Sequence, residues 1–490
     1  MFAWPPAAST PGAGLFGCQC HSPAFARLQE RMTGAVSRRG FLTGTATAVG
    51  VAALGARGSL ARIPDAPRSP IAFTNLRLFD GKSDALRGGL RVVVDGSKIR
   101  AVEPVEKPLA AGVQVVDCGG RTLMPGLIDA HWHSMMASVS LNVLLTADVG
   151  YLNLLAGEEA GRTLMRGFTS IRDLAGPSFG LKRAIDTDIV AGPRIWPSGA
   201  MISQTGGHGD YRMPYEVPAA PNAPLSHGDV IGGGAIADGP DRVRVRAREQ
   251  LMLGASQLKL AAGGGVSSNY DPIDVSQYTE AEFRAAVEAA ENWGTYVTVH
   301  AYTPRAIQTA IRGGVRCIDH GQLMDEATAQ IMAEKDIWLS LQPFLDDEDA
   351  TPFPEGSANR AKQLQMSKGT DTAYALAKKY NLKTAWGTDT LFDARLATRQ
   401  GAQLAKMVRW YTPAEVLRTA TSTNAELLAM SGPRSPYPAK VGVLEEGALA
   451  DLLLVDGDPI ADLKLVADPE KSFVLIMKDG RIFKNTLPAK

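Results

Sequence analysis

The chain has 490 residues, with 51 Lys+Arg balanced by 51 Asp+Glu for a formal net charge of +0, so it lacks the basic field of a nucleic-acid binder. A hydrophobic share of 45 % and a charged share of 21 %, with 50 Gly and 30 Pro, describe a loop-rich globule large enough for a sizeable core and exclude disorder as its general state. Only four cysteines occur, two of them (Cys18, Cys20) near the start, so a disulfide framework is not expected.

In chain order, residues 1–61 read as an N-terminal extension followed by an export signal. Ser37-Arg38-Arg39-Gly40-Phe41-Leu42 precedes a mildly apolar run to Ala56, and Ser59-Leu60-Ala61 offers small residues for cleavage. Paired arginines ahead of a Gly/Ala/Thr-rich run resemble a twin-arginine signal, which implies a periplasmic or secreted protein with no membrane anchor after cleavage. The run is shorter and more polar than a membrane span requires. Met32 is an alternative start, which would leave Cys18-Gln-Cys20-His21 in a non-functional extension.

From Ile71 to Thr122, short β-rich runs (IAFTNLRLF, LRVVVDGSKIRAVEP, VQVVDCGG) alternate with turns, and the same texture returns in ALADLLLVDGD and SFVLIMKDGRIF. Segments 69–122 and 437–490 are therefore expected to build one accessory β domain, a small sandwich. Between them, over 123–436, apolar strands alternate with helical stretches, predicting a parallel α/β sheet and, with its strands at 123–133, 168–173, 193–199, 256–262, 295–300, 315–320, 336–341 and 383–389, a (β/α)8 TIM barrel. Helix starts are marked by Thr279 with Glu282 and by Thr412-Pro413-Ala414-Glu415.

Of seven histidines, His131, His133, His300 and His320 each close one of these strands. His131 and His133 are two positions apart, so an extended strand sends both to one face. Lys259, between Leu258 and Leu260, points away from its apolar neighbours into the interior, where an ammonium must be paired or chemically altered. Asp389 closes the last strand. Asp129 shares the face of His131 and serves either to orient a ligand or as a structural hydrogen-bond partner. Cys317, opposite in parity to His320, is expected to face the helices. The run Arg242, Arg244, Arg246, Arg248 reads as a solvated helix face, and His227 as a surface residue.

This set, from PGLIDAHWH through VGVLEEGALADLLLVDGDP, resembles the amidohydrolase superfamily of metal-dependent hydrolases. The resemblance implies two divalent metal ions, zinc being the natural choice for imidazole and carboxylate ligands. His131 and His133 would hold one, His300 and His320 the other, a CO2-derived carboxylated Lys259 would bridge them, and Asp389 would serve as ligand and proton carrier. Ile202 to Asp210 (ISQTGGHGD) and Lys259 to Gly265 (KLAAGGG) further resemble the prolidase-like branch, with its Xaa-Pro and Xaa-Arg dipeptidases and ochratoxin-hydrolysing carboxypeptidases. That branch implies a small-molecule amide or dipeptide substrate with a free carboxylate, His208 and Tyr270 as substrate-binding residues, and a homo-oligomer. The sequence departs from the branch at His300-Ala301-Tyr302-Thr303, where a second histidine is common. The competing readings are a mononuclear deaminase or cyclic-imidate hydrolase of the same superfamily, and a non-catalytic barrel scaffold.

Overall fold

The structure is a computed structural model that describes residues 69–218 and 223–488; the extension and signal expected over 1–61 lie outside the described residues. The described residues belong to one compact unit, and among them no helix is long and apolar enough to cross a membrane.

The fold is α/β. Seven short strands form one all-parallel sheet in the order Gly234–Ile236, Met201–Ser203, Leu258–Ala261, Val297–Ala301, Cys317–His320, Trp338–Leu341, Thr384–Trp386. Three more, Leu127–Trp132, Phe168–Asp173 and Arg194–Pro197, form a second parallel sheet. Backbone hydrogen bonds join the two arrays on both sides: Asp389 N donates to the His131 carbonyl at 2.8 Å, and Ser256 N to the Pro197 carbonyl at 2.7 Å. These strands are wholly or nearly wholly buried, which explains why they read as apolar runs rather than as alternating ones.

Helices fill the connections, and their starts follow local chemistry. Thr279 caps Glu280–Asn292 in a reciprocal box, with Thr279 N donating to Glu282 Oε2 at 2.8 Å. Pro413 opens Pro413–Arg418 behind a second such box between Thr412 and Glu415. The arginine run lies on Pro240–Leu253, where Arg244 pairs with Glu288 and Arg246 with Asp229 and Glu249.

Two further sheets use both ends of the described chain. One runs Lys98–Pro104, Leu90–Asp95, Ile71–Thr74, Gln114–Asp117; the other runs Arg481–Asn485, Phe473–Lys478, Leu452–Val455, Thr122–Pro125, Arg77–Leu78. Phe73, Val92 and Val94 from the first share one buried apolar cluster with Leu123, Leu454, Leu475 and Met477 from the second.

The strand expected over 123–133 is in fact two. Thr122–Pro125 pairs antiparallel with Leu452–Val455, and the parallel sheet begins at Leu127. The change of sheet falls at Gly126, where a Cβ would stand 2.0 Å from Thr169 Oγ1, so only glycine lets the backbone pass. The strands Met201–Ser203 and Gly234–Ile236 are additional to the eight expected, three residues being too few to show a period in the sequence.

Candidate metal centre

The first parallel strand delivers His131 at its end and His133 just beyond it. Asp129 fixes this segment: its carboxylate accepts from His131 N, from Thr388 N and Oγ1, and from Gln400 Nε2, at 2.8–3.1 Å. Burial pushes the Asp129 carboxyl up to about 6 against those four donors, and its role is to tie the first strand to the last.

Asp389 and His320 both sit in left-handed backbone, at φ 53° and 84°, which turns their side chains back over the strand ends. Asp389 Oδ1 lies 2.8 Å from His133 Nε2 and 3.1 Å from His131 Nε2, and Oδ2 lies 4.0 Å from His320 Nδ1. One ligand atom each from His131, His320 and Asp389 falls within 4.8 Å of the others. His300 approaches from the next strand, its ring 4.5 Å from that of His320 and stacked at 4.0 Å on His208.

Burial, reinforced by Lys259, pushes His131 down to about 4 against the pull of Asp389, and burial holds His300 and His320 well below the usual imidazole value. Burial acts to raise the Asp389 carboxyl, yet His131 first, with the His133 hydrogen bond and His320, outweighs it and holds the carboxyl well below the usual range. His133 Nδ1 is buried without a hydrogen-bonding partner. Buried histidines around a carboxylate, with one ring nitrogen left without a partner, are a donor set that fits a divalent ion.

Two glutamine and aspartate contacts escaped the sequence reading. Gln342 Oε1 lies 2.7 Å from His320 Nδ1 while its Nε2 lies 3.3 Å from His131 Nδ1, so one amide orients both rings. Asp319 Oδ2 accepts from Lys259 Nζ at 2.6 Å and from Thr298 Oγ1 at 2.7 Å, and its Oδ1 accepts from Arg172 Nη2 at 2.6 Å. Asp319 adjoins His320 and the pairing of interior lysines with acids is general, yet nothing in the spacing singles it out.

Cys317 corrects an expectation. It shares strand parity with Asp319 and lies on the interior face beneath the site, 3.6 Å from Arg172 Nη1. His320 is not a regular strand residue: its positive φ breaks the alternation, so its side chain and those of Cys317 and Asp319 turn to the same side.

The cluster floors a cavity of about 330 Å³ lined by His131, His133, His208, Lys259, His300, His320 and Asp389, with Tyr211 and Tyr302 above them. His208 lies in the cavity, its Nδ1 2.8 Å from Ser268 Oγ, and burial pushes it down to about 4. Tyr270 does not: it is 46 % exposed, its hydroxyl donates to the Arg212 carbonyl at 2.6 Å, and it is absent from the cavity lining. The loop bends at Ser268, with Ser268 and Asp271 buried and Tyr270 exposed, so the structure does not bring Tyr270 to the cavity with His208. The tyrosines that line the cavity are Tyr211, half-buried and three residues after His208, and Tyr302, buried, with its ring centroid 4.8 Å from that of His300. The second wall is apolar, with Val266, Phe344, Phe353 and Met366.

Residues 122–483 match the amidohydrolase family model. The chain is 32 % identical over 372 residues to an ochratoxinase from Aspergillus niger, covering 74 % of this chain and 75 % of the relative. Among solved structures it is similar to an amidohydrolase (35 % identity, TM-score 0.78, 86 % of this chain and 100 % of the other) and to a prolidase complexed with N-methylphosphonate-L-proline (33 % identity, TM-score 0.76, 85 % and 100 %). With buried histidines, a carboxylate and a cavity gathered at the strand ends of an α/β fold, the chain belongs to the amidohydrolase family and is an amide hydrolase.

Proposed function

We propose that the protein hydrolyses the amide bond of a dipeptide or an N-acyl amino acid bearing a free carboxylate, ochratoxin-type amides included, at a centre of two divalent ions, zinc by preference. The observation that carries this reading is the convergence of His131, His133, His320 and Asp389 around one point at the cavity floor, with His300 and Lys259 alongside. The similarity to an ochratoxinase and to a prolidase supports the substrate class.

Divalent ions held there would polarise the scissile carbonyl and make water a nucleophile near neutral pH. The chain's own residues supply the rest. Asp389 accepts the proton of the attacking water and returns it to the departing nitrogen, as general acid-base catalysis requires. Tyr302, whose ring packs against His300 and His320 in the cavity, would offer its hydroxyl as a donor to the carbonyl oxygen. His208 and Tyr211 line the polar wall, where the leaving residue's carboxylate would bind, and the wall of Phe344 and Phe353 takes the acyl half.

Carboxylation of Lys259 belongs to the same proposal: it would turn an interior cation into an oxygen ligand. The Lys259–Asp319 contact supplies the opposing account, an ammonium held by a carboxylate. Lys259→Ala separates them, losing metal together with activity, and recovering part of both with added short carboxylic acids, in the first case; in the second it loses stability with metal content preserved.

Four further proposals accompany this one: closure of the parallel strands into a (β/α)8 barrel, a β-sandwich made by the two accessory sheets, a homo-oligomer, and export to the periplasm directed by 37–61. Metal analysis of the purified chain, with a panel of N-acyl amino acids and their methyl esters, tests the function. Close to two ions per chain and a large preference for the free acids are expected. One ion per chain with deaminase activity overturns it in favour of the mononuclear alternative, and no metal with no turnover favours a scaffold. Asp389→Asn should lower turnover by about 10²–10⁴-fold, the range of a lost acid-base group, with substrate affinity far less affected.

A further inference from the structure

Arg172 lies on the strand Phe168–Asp173, fully buried, beneath the site rather than in it. A guanidinium in a sheet interior is costly unless every donor is used, and here its donors run in three directions. Nε donates to the Ala130 carbonyl at 2.6 Å, Nη2 to Asp319 Oδ1 at 2.6 Å, and Nη1 faces Tyr296 Oη at 3.2 Å and Cys317 Sγ at 3.6 Å. Ala130 is the residue before His131, and Asp319 the residue before His320. The next residue, Asp173, accepts through Oδ2 from Ser134 N at 2.7 Å, and Ser134 follows His133. Two consecutive residues of one strand thus hold the backbone on both sides of His131-Trp132-His133, and one of them also holds the carboxylate beside His320.

We propose that Arg172 and Asp173 form a clamp that sets the separation and aim of the ligand histidines, Arg172 being a positioning residue for metal affinity although it touches neither metal nor substrate. The physical basis is the rigid fork of arginine. Its donors diverge at fixed angles, so bonding Ala130 and Asp319 at once fixes the distance between the ends of the strands Leu127–Trp132 and Cys317–His320. Lysine has one nitrogen on a flexible stem and can compensate the Asp319 charge without holding both groups. The proposal rests on the metal centre argued above.

The test uses the full metal-loaded protein and its Arg172→Lys, Arg172→Met and Tyr296→Phe variants. Three readouts are taken: metal affinity by chelator competition, the visible absorption of the cobalt-substituted protein, and the unfolding midpoint of the metal-free form. Arg172→Lys is expected to fold with a midpoint near the parent, to bind metal about 10- to 100-fold more weakly, as loss of support around metal ligands does, and to change the cobalt spectrum. Tyr296→Phe removes a partner of Arg172 without freeing Ala130 or Asp319, and should leave affinity and spectrum unchanged. If Arg172→Met does not fold, the other two variants still decide. The inference is overturned if Arg172→Lys matches the parent in affinity and spectrum, or if Tyr296→Phe shifts both as far. A parent that binds no divalent ion would instead overturn the metal reading itself, before any variant is compared.

Discussion

Two ion pairs of nearly the same bond length stand in opposite surroundings. Arg172 meets Asp319 at 2.6 Å with both side chains 0 % exposed, whereas Arg409 meets Asp371 at 2.7 Å with side chains 52 % and 55 % exposed. Beneath the site each charge has left water, so the carboxylate of Asp319 is tolerable only because Lys259, Arg172 and Thr298 surround it; burial works to raise its carboxyl, and the cations Lys259 and Arg172 hold it well below the usual range. At the surface, water and salt do most of that work. Equal geometry therefore says little about equal worth, and the environment decides which pair the fold depends on.

The largest effect should come from Asp319→Asn. One amide oxygen cannot serve three donors, and the substitution leaves Arg172 and Lys259 as buried cations without a counter-charge. A loss of about 3–5 kcal/mol is expected in urea unfolding of the metal-free protein. A loss of under about 1 kcal/mol would mean that water reaches this network, and the contrast with the surface pair would collapse.

Thr298→Val should come next. Valine keeps the shape and removes the 2.7 Å hydrogen bond to Asp319 Oδ2, leaving both cations in place. Loss of one hydrogen bond to a charged group costs about 1.5–3 kcal/mol. Combining it with Asp319→Asn should cost less than the sum of the two, because the bond exists only while both partners do; strict additivity would show that Thr298 acts independently of the network.

The same contrast marks what could be read in the sequence. The α/β pattern was legible because buried parallel strands are short apolar runs, and the residues ending them, His131, His133, His300, His320 and Asp389, stand out in a sequence with few histidines. What strand parity could not reveal is where alternation stops: His320 and Asp389 have positive φ, so Asp319 and Cys317 face the interior that parity denied to Cys317. Gln342 and Arg172 were illegible for another reason. Each acts across strands that are far apart in sequence, His131 and Gln342 being separated by 211 residues, and no local signal encodes such a meeting. The outward placement of Tyr270 was illegible because a Gly- and Ser-rich loop sets no direction for its side chains until its own hydrogen bonds are made.

The smallest effect belongs to Asp371→Asn. Asp371 opens the helix Thr370–Lys379, accepts from Arg409 Nε and Nη2 at 2.7 Å, and accepts from Trp410 Nε1 at 2.8 Å. The Arg409 hydrogen bonds, helped by Trp410 and only partly opposed by burial, lower its carboxyl to about 2. A carboxyl lowered by folding adds stability that is fully present above its unfolded value near 4 and is lost as pH falls towards 2. Solvent screening of a half-exposed pair keeps that contribution under about 1 kcal/mol. The parent and Asp371→Asn should therefore differ slightly at pH 7, differ less at pH 3, and converge in high salt, where exposed pairs are screened. Trp410 stacks on buried Tyr374 at 4.0 Å, so part of the loss at pH 7 should persist in salt as looser packing of that ring. A difference at pH 7 as large as that of Asp319→Asn would show that this pair is shielded from water despite its exposure, and burial would no longer separate the two.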